Sequence, residues 1–180
     1  MPIASGDILY KLSTTAGSAG NSTAQADPNA SLGKYISTTS IVDATLSNLF
    51  DNISGDENAA STVDYRCFFV RNAHATLTWL SPVVWISAEV SGGASAAIGI
   101  DTTAASAIGA SPAQALTIAD ELTAPAGVSF SSPTTKGTGL ALADLPAGYC
   151  RAIWVRRTAA NTSAKDNDGV TIRVEGDTGE

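Results

Sequence analysis

The residue types that most often carry polar chemistry are sparse here: one histidine, His74, and two cysteines, Cys67 and Cys150. As a general base, His74 needs a nucleophile and an orienting carboxylate, and the chain has no G-x-S-x-G elbow to nominate a serine. It follows the turn-like Asn72-Ala73, so it reads as a solvated or cross-strand turn residue. One histidine and two distant cysteines lack the ligand spacing of a zinc site. Both cysteines lie in apolar, strand-like runs, which favours two buried free thiols over a bridge between neighbouring strands.

Two acidic groups, Asp51 with Asp56 and Glu57, and Asp166-Asn167-Asp168-Gly169, offer oxygens to a hard cation such as Ca²⁺. Neither has the further carboxylate of an EF-hand, and helix-end or turn chemistry explains both. No phosphate-cradling glycine loop is present. No cofactor, metal or catalytic set is expected, and an enzyme is not. Trp79, Trp85 and Trp154 fall in strand-like runs, where such rings serve a core or a subunit interface; a carbohydrate-binding surface is the alternative. Arg66, Arg71, Arg151, Arg156 and Arg157 flank the two most apolar runs, and arginine is enriched at protein interfaces. These eight residues are the candidate interface, with an acidic neighbour as the arginines' partner; strand-end solvation is the plainer account.

Charged residues make up 15% of the chain, against about 25% in ordinary soluble domains. Ala, Ser, Thr and Gly fill the gap, a stock poor in the ionisable groups that catalysis draws on. The net charge of −7 argues against nucleic acid and anionic membranes, since both are polyanionic. No apolar run reaches the length of a membrane span. The opening Met1-Pro2-Ile3-Ala4-Ser5 has neither a basic region nor an apolar stretch, so no signal peptide is expected and synthesis in a cytoplasm is.

The elements that must position these residues are mostly strands. Residues 7–12 alternate as a first short strand, and 13–32 form a run of small residues too poor in apolar area to offset its own ordering entropy. That run is expected to be an arm that orders only against a neighbour. Residues 43–53 place Leu46, Leu49, Phe50 and Ile53 at i, i+3, i+4 and i+7, which predicts a short helix stopped at Gly55. From Val63 the period changes. Residues 63–71, 75–80 and 83–90, split by Ser81-Pro82, read as an antiparallel meander; 97–101 and 115–119 are weaker strands. Residues 149–157 and 169–175 read as a closing hairpin across a polar loop. Residues 66–71 and 151–156 look alike, as an internal repeat or as two strands under one packing rule. The expected fold is all-β: an antiparallel β-sandwich, jelly-roll or immunoglobulin-like, with one short helix and a long N-terminal arm. Residues 1–40 supply the first strand and the arm and 41–180 the sandwich, one domain overall.

Several segments resemble small virion proteins of tailed bacteriophages: residues 7–13, 27–33 (Asp27-Pro28-Asn29-Ala30-Ser31-Leu32-Gly33), 48–51 and 54–57. Tyr65-Arg66-Cys67, residues 133–137 and residues 173–178 fit the same pattern. The likeness spans most of the chain but rests on structural motifs without chemistry. It implies a particle component made in the host cytoplasm and resident in the virion. The leading expectation is a capsid decoration (cement) protein, homo-oligomeric, bound to the major capsid protein lattice or to neighbouring virion subunits. A tail-tip, baseplate or fibre-associated protein is the alternative, and a carbohydrate-binding sandwich module a second.

Overall fold

The computed structural model describes residues 2–17, 27–109 and 112–178. Two strands, β3 (Val63–Asn72) and β8 (Tyr149–Thr158), each carry a continuous apolar run, Cys67–Val70 and Ala152–Val155, flanked by arginines. They pair antiparallel, with Cys67 opposite Trp154, Phe68 opposite Ile153 and Phe69 opposite Ala152. Continuous apolar runs mark strands buried on both faces, and these two lie inside the larger sheet. Its order is β2-β1-β3-β8-β5, built from β1 (Ile8–Thr14), β2 (Tyr35–Ser40) and β5 (Ser95–Ile100), with β6 (Ser106–Ala107) also pairing β8. A second sheet sets β4 (Trp79–Glu89) between β7 (Leu140–Ala141) and β9 (Val170–Thr178). All pairings are antiparallel, so the protein is an all-β, sandwich-like fold.

Two hydrophobic cores follow. Phe68, Val70, Ile153 and Val155 point one way and pack with Val84, Ile86, Leu142 and Leu145 of the second sheet and its flank. Cys67, Phe69, Ala152 and Trp154 point the other way. There they meet Ile36, Ala115 and Ile118, so that face is covered mainly by non-strand chain. Residues 66–71 and 151–156 lie on these two neighbouring strands, and Phe68 and Ile153 face one core while Cys67 and Ala152 face the other.

Several expectations are corrected. Residues 43–53 form turns, with Ala44 and Ser47 at positive φ (54° and 55°), and Leu46 is exposed. Asp, Ser and Asn in that stretch compete for the backbone: Asp43 accepts from the Ala44 N–H at 2.9 Å, and Asn48 donates to the Val42 carbonyl at 3.0 Å. The helix α1 (Gly55–Ala60) instead begins where one was expected to stop. Ser54 accepts from Glu57 N at 3.3 Å while Glu57 accepts from Ser54 N at 2.6 Å, a reciprocal capping box.

The meander and the closing hairpin are absent as well. β3 and β4 lie in different sheets, as do β8 and β9. Asn72 holds the first crossing: its amide donates to the carbonyls of Leu77 (2.8 Å) and Leu145 (2.9 Å) and its oxygen accepts from His74 N (3.0 Å). Ser81-Pro82 does not divide a strand. Ser81 takes a φ of 47° within a register shift between Leu80 and Val83, so β4 continues across a bulge. Residues 115–119 are not a strand; Thr117 makes one isolated bridge to Gly33.

The expected arm also differs at both of its described ends. Ser13 and Thr14 are buried within β1, and Ser31 is buried beyond the 3-10 turn Pro28–Ala30. Polar groups without apolar area hold this region by hydrogen bonds: Gly33 N donates to Ser13 Oγ at 3.0 Å, and Cys67 N to the Ser31 carbonyl at 2.8 Å. The middle of the arm, residues 18–26, lies outside the described residues.

Gly33 has a φ of 90°, and a Cβ there would fall on the Leu116 carbonyl oxygen and close to Trp154. Gly33→Ala is therefore expected to cost about 2 kcal/mol or more, from backbone strain and a clash with main chain. Gly137→Ala, with open space around it, is the comparison; urea unfolding of both variants checks the difference.

Candidate functional site

Three of the five arginines named from the sequence are held inside the fold, which corrects their reading as surface contacts. Arg66, on β3, has a fully buried side chain that pairs with Glu121 and donates to Asn29 Oδ1 at 3.3 Å. Arg157, on β8, binds Asp64 Oδ2 at 2.6 Å and reaches Asp51 at 3.5 Å. The Phe50 ring lies against both guanidiniums, 5.4 Å from Arg66 and 4.7 Å from Arg157. Cation–π contacts strengthen when desolvated, so Phe50 anchors the segment 41–54 to the large sheet. Arg151 donates to the carbonyls of Thr103 and of Asp101, the latter at 2.8 Å. Burial lowers its pKa, partly offset by Asp101.

Arg71 and Arg156 are different. Among the described residues neither guanidinium has a hydrogen-bond acceptor or an ion-pair partner. Arg156 stacks on Phe130 at 5.5 Å, and Phe130 in turn meets Tyr65 at 5.4 Å. Arg71 lies on β3 opposite Leu9 and Cys150.

The tryptophans are all interior. Trp154 is fully buried and donates its indole N–H to Asp101 Oδ2 at 2.6 Å. Trp79 belongs to the core between the sheets, and Trp85 is buried outside both clusters. None projects from the surface. Trp79 also forms a wall of an apolar groove of about 320 Å³ with Ile3, Ile8, Tyr10, Val174 and Gly176. Burial there pushes the Tyr10 hydroxyl pKa up.

His74 is a turn residue: its Nδ1 accepts from Thr76 N at 3.2 Å and Leu77 N at 2.9 Å. In the acidic groups, Asp51 pairs with Arg157, Glu57 caps α1 and Asp168 accepts from Ala94 N at 2.6 Å. Among the described residues no cluster of His, Cys, Asp or Glu is placed to hold a metal ion. No helix among them is long and apolar enough to cross a membrane.

Sequence reasoning missed two buried polar residues that organise the second core. Asp101 accepts from Trp154, from Leu116 N (2.9 Å) and from Thr103 N (2.7 Å). Its place ahead of Thr102-Thr103, where an Asx turn forms, was the available signal. Gln114 bonds Ile36 N at 3.2 Å and the Cys150 sulfur at 3.5 Å, and no local pattern points to it. Cys67 and Cys150 are buried and unbridged.

No protein-family model, curated protein or solved structure matches this chain.

Glu121→Gln leaves the buried Arg66 charge without its counter-ion, and such a break costs about 3 kcal/mol. Lys136→Gln, which removes a half-exposed pair with Glu175 at 3.7 Å, should cost under about 0.5 kcal/mol. Denaturant midpoints of the two variants would test the contrast.

The thiols predict a pH dependence. Burial pushes the Cys150 pKa from 9.0 up to about 12, slightly countered by Arg71. Burial, with help from Asp101, raises Cys67 well above its ordinary value, against a hydrogen bond from Ser13. The folded state keeps protons that the unfolded chain releases, so stability present below pH 9 is lost as pH rises through about 12. Cys150 adds a slope of about 1.4 kcal/mol per pH unit in that window, and Cys67 acts in the same direction. Cys150→Ser should remove one such contribution in alkaline urea melts.

Proposed function

We propose that the chain is a non-enzymatic structural protein of a tailed-phage particle, a decoration subunit seated on the major capsid protein lattice. The observation that carries this reading is a set of large apolar side chains facing solvent on anchored chain. Val42 is 63% and Leu46 69% exposed on the segment that Phe50 fastens to Arg66 and Arg157. Leu122 is 61% exposed beside Glu121, the ion-pair partner of the same Arg66. A contiguous apolar patch marks an association site, and on this reading Val42, Leu46 and Leu122 are apolar contacts of the docked face. Here it is held by a buried charge network, so little is added to the ordering cost of binding.

The surroundings fit a protein partner better than a polyanion. Asp43, Asp51, Asp56, Asp120 and Glu121 fall on or next to these segments, and Arg66 and Arg157 are already engaged within the fold. The resemblance to small virion proteins supplies the particle context. An outer, acidic subunit present in many copies needs only modest affinity at each contact, because repetition on a lattice supplies avidity.

The test is co-sedimentation with particles stripped of this protein. Leu46→Asp together with Val42→Ser should lower binding about tenfold or more, while thermal stability changes by less than about 0.5 kcal/mol, as for surface substitutions. Copy number in whole particles should rise in step with the major capsid protein. A few copies, fractionating with tails, would replace decoration with the tail reading.

A further inference from the structure

We propose that Arg71 and Lys11 form a carboxylate-binding site that takes an acidic segment of a protein partner. In the β1–β3 pairing Leu9 stands opposite Arg71 and Lys11 opposite Phe69. Residues directly opposite in an antiparallel pair share a face, as do alternate residues along a strand. Lys11 and Arg71 are therefore diagonal neighbours on the face that carries Phe69 and Cys150, and both are half-buried.

The two cations are prepared for an anion in different ways. Lys11 is steadied by β2, its ammonium donating to the Thr38 carbonyl at 3.0 Å and to Ser40 Oγ at 2.8 Å. An ammonium has three donors, so one remains for a ligand. Arg71 donates no hydrogen bond to any described residue, and its Nε is buried without a partner. Its charge is felt by both neighbours: Lys11 has its pKa lowered by burial and then by Arg71, and the Cys150 thiol is pulled down by Arg71 against the larger effect of burial.

Two like charges held side by side destabilise the free protein, and a bound carboxylate relieves that repulsion while accepting charge-assisted hydrogen bonds from both groups. No ion pair to either cation exists among the described residues, although acidic side chains outnumber basic ones 17 to 10 in the chain. A polyanion such as nucleic acid needs many cations and meets a protein of net charge −7, whereas a short acidic stretch needs only this pair. Arg156 is the internal contrast: it also lacks an acid, but its face is occupied by Phe130 and the structure assigns it no second cation.

The inference draws on the docking-subunit reading only for the kind of partner, and the site can be probed without a particle. Isotope-labelled protein is titrated with a short capped polyglutamate peptide and, separately, with inorganic phosphate, following backbone amides and arginine Nε–H signals. Saturable shifts at Arg71, Lys11, Leu9 and residues 38–40 are expected with the peptide. Arg71→Gln or Lys11→Gln should weaken the peptide about tenfold or more, Arg71→Lys less, and Arg156→Gln not at all. Raising the salt should weaken it further. Equal thermal midpoints for wild type and Lys11→Gln keep the result interpretable should Arg71→Gln fold poorly. The proposal is overturned if shifts spread over all basic residues, if Lys11→Gln binds like wild type, or if phosphate competes as well as the peptide does. A positive titration beside failed co-sedimentation would retain the site and discard the particle reading.

Discussion

The constraint on which the rest depends is that β3 and β8 are apolar on both sides. Phe68, Val70, Ile153 and Val155 need cover on one face and Cys67, Phe69, Ala152 and Trp154 on the other. Burying a large side chain is worth about 1.5–3 kcal/mol, so neither face can be left to water. The second sheet meets one requirement. The other face is met mainly by irregular chain carrying Ala115 and Ile118, with Leu116, Val128 and Phe130 partly buried beside them.

Covering a sheet with irregular chain brings its own demand. Such chain has main-chain groups without a regular ladder, and buried ones must find partners. Asp101 and Gln114 supply several of them, and both side chains are almost wholly buried. Asp101 joins the indole of Trp154 to the backbone of Leu116 and Thr103. Arg66 joins the 3-10 turn at Asn29, the Glu121 segment and Phe50. Buried charge of this kind is weak support for stability in itself. Its effect is to set where these segments lie on the sheet, and through them where Val42, Leu46 and Leu122 are displayed.

The same economy of charge shapes the reading of function. Most basic side chains near the cores already have internal partners, so the few that do not stand out. Arg71 beside Lys11 is a local excess of positive charge in an acidic molecule. The exposed apolar residues sit elsewhere, on segments that carry carboxylates. A subunit with both features has complementary means of meeting a protein neighbour: apolar contact for affinity, and charge for orientation.

Much of the architecture was legible in local pattern. Apolar runs located β3 and β8, and alternation located β1, each within two residues at either end, as β5 was also located; β9 begins where expected but runs three residues further, to Thr178. The all-β class and the burial of both cysteines follow from that pattern. Pairing was not legible, since the crossings after Asn72 and Thr158 depend on which layer offers an uncovered apolar face. The helix was misplaced because apolar spacing at Leu46, Leu49 and Phe50 suits a helix as well as it suits a turn-rich strap, and tertiary contact with Arg66 and Arg157 decided for the strap. A reciprocal pair at Ser54 and Glu57 set the helix start and was readable in principle. Which arginines remain unpaired was decided only by the fold: the five look alike along the chain, and a counter-ion far away in sequence, such as Glu121 for Arg66, becomes a partner only through tertiary packing.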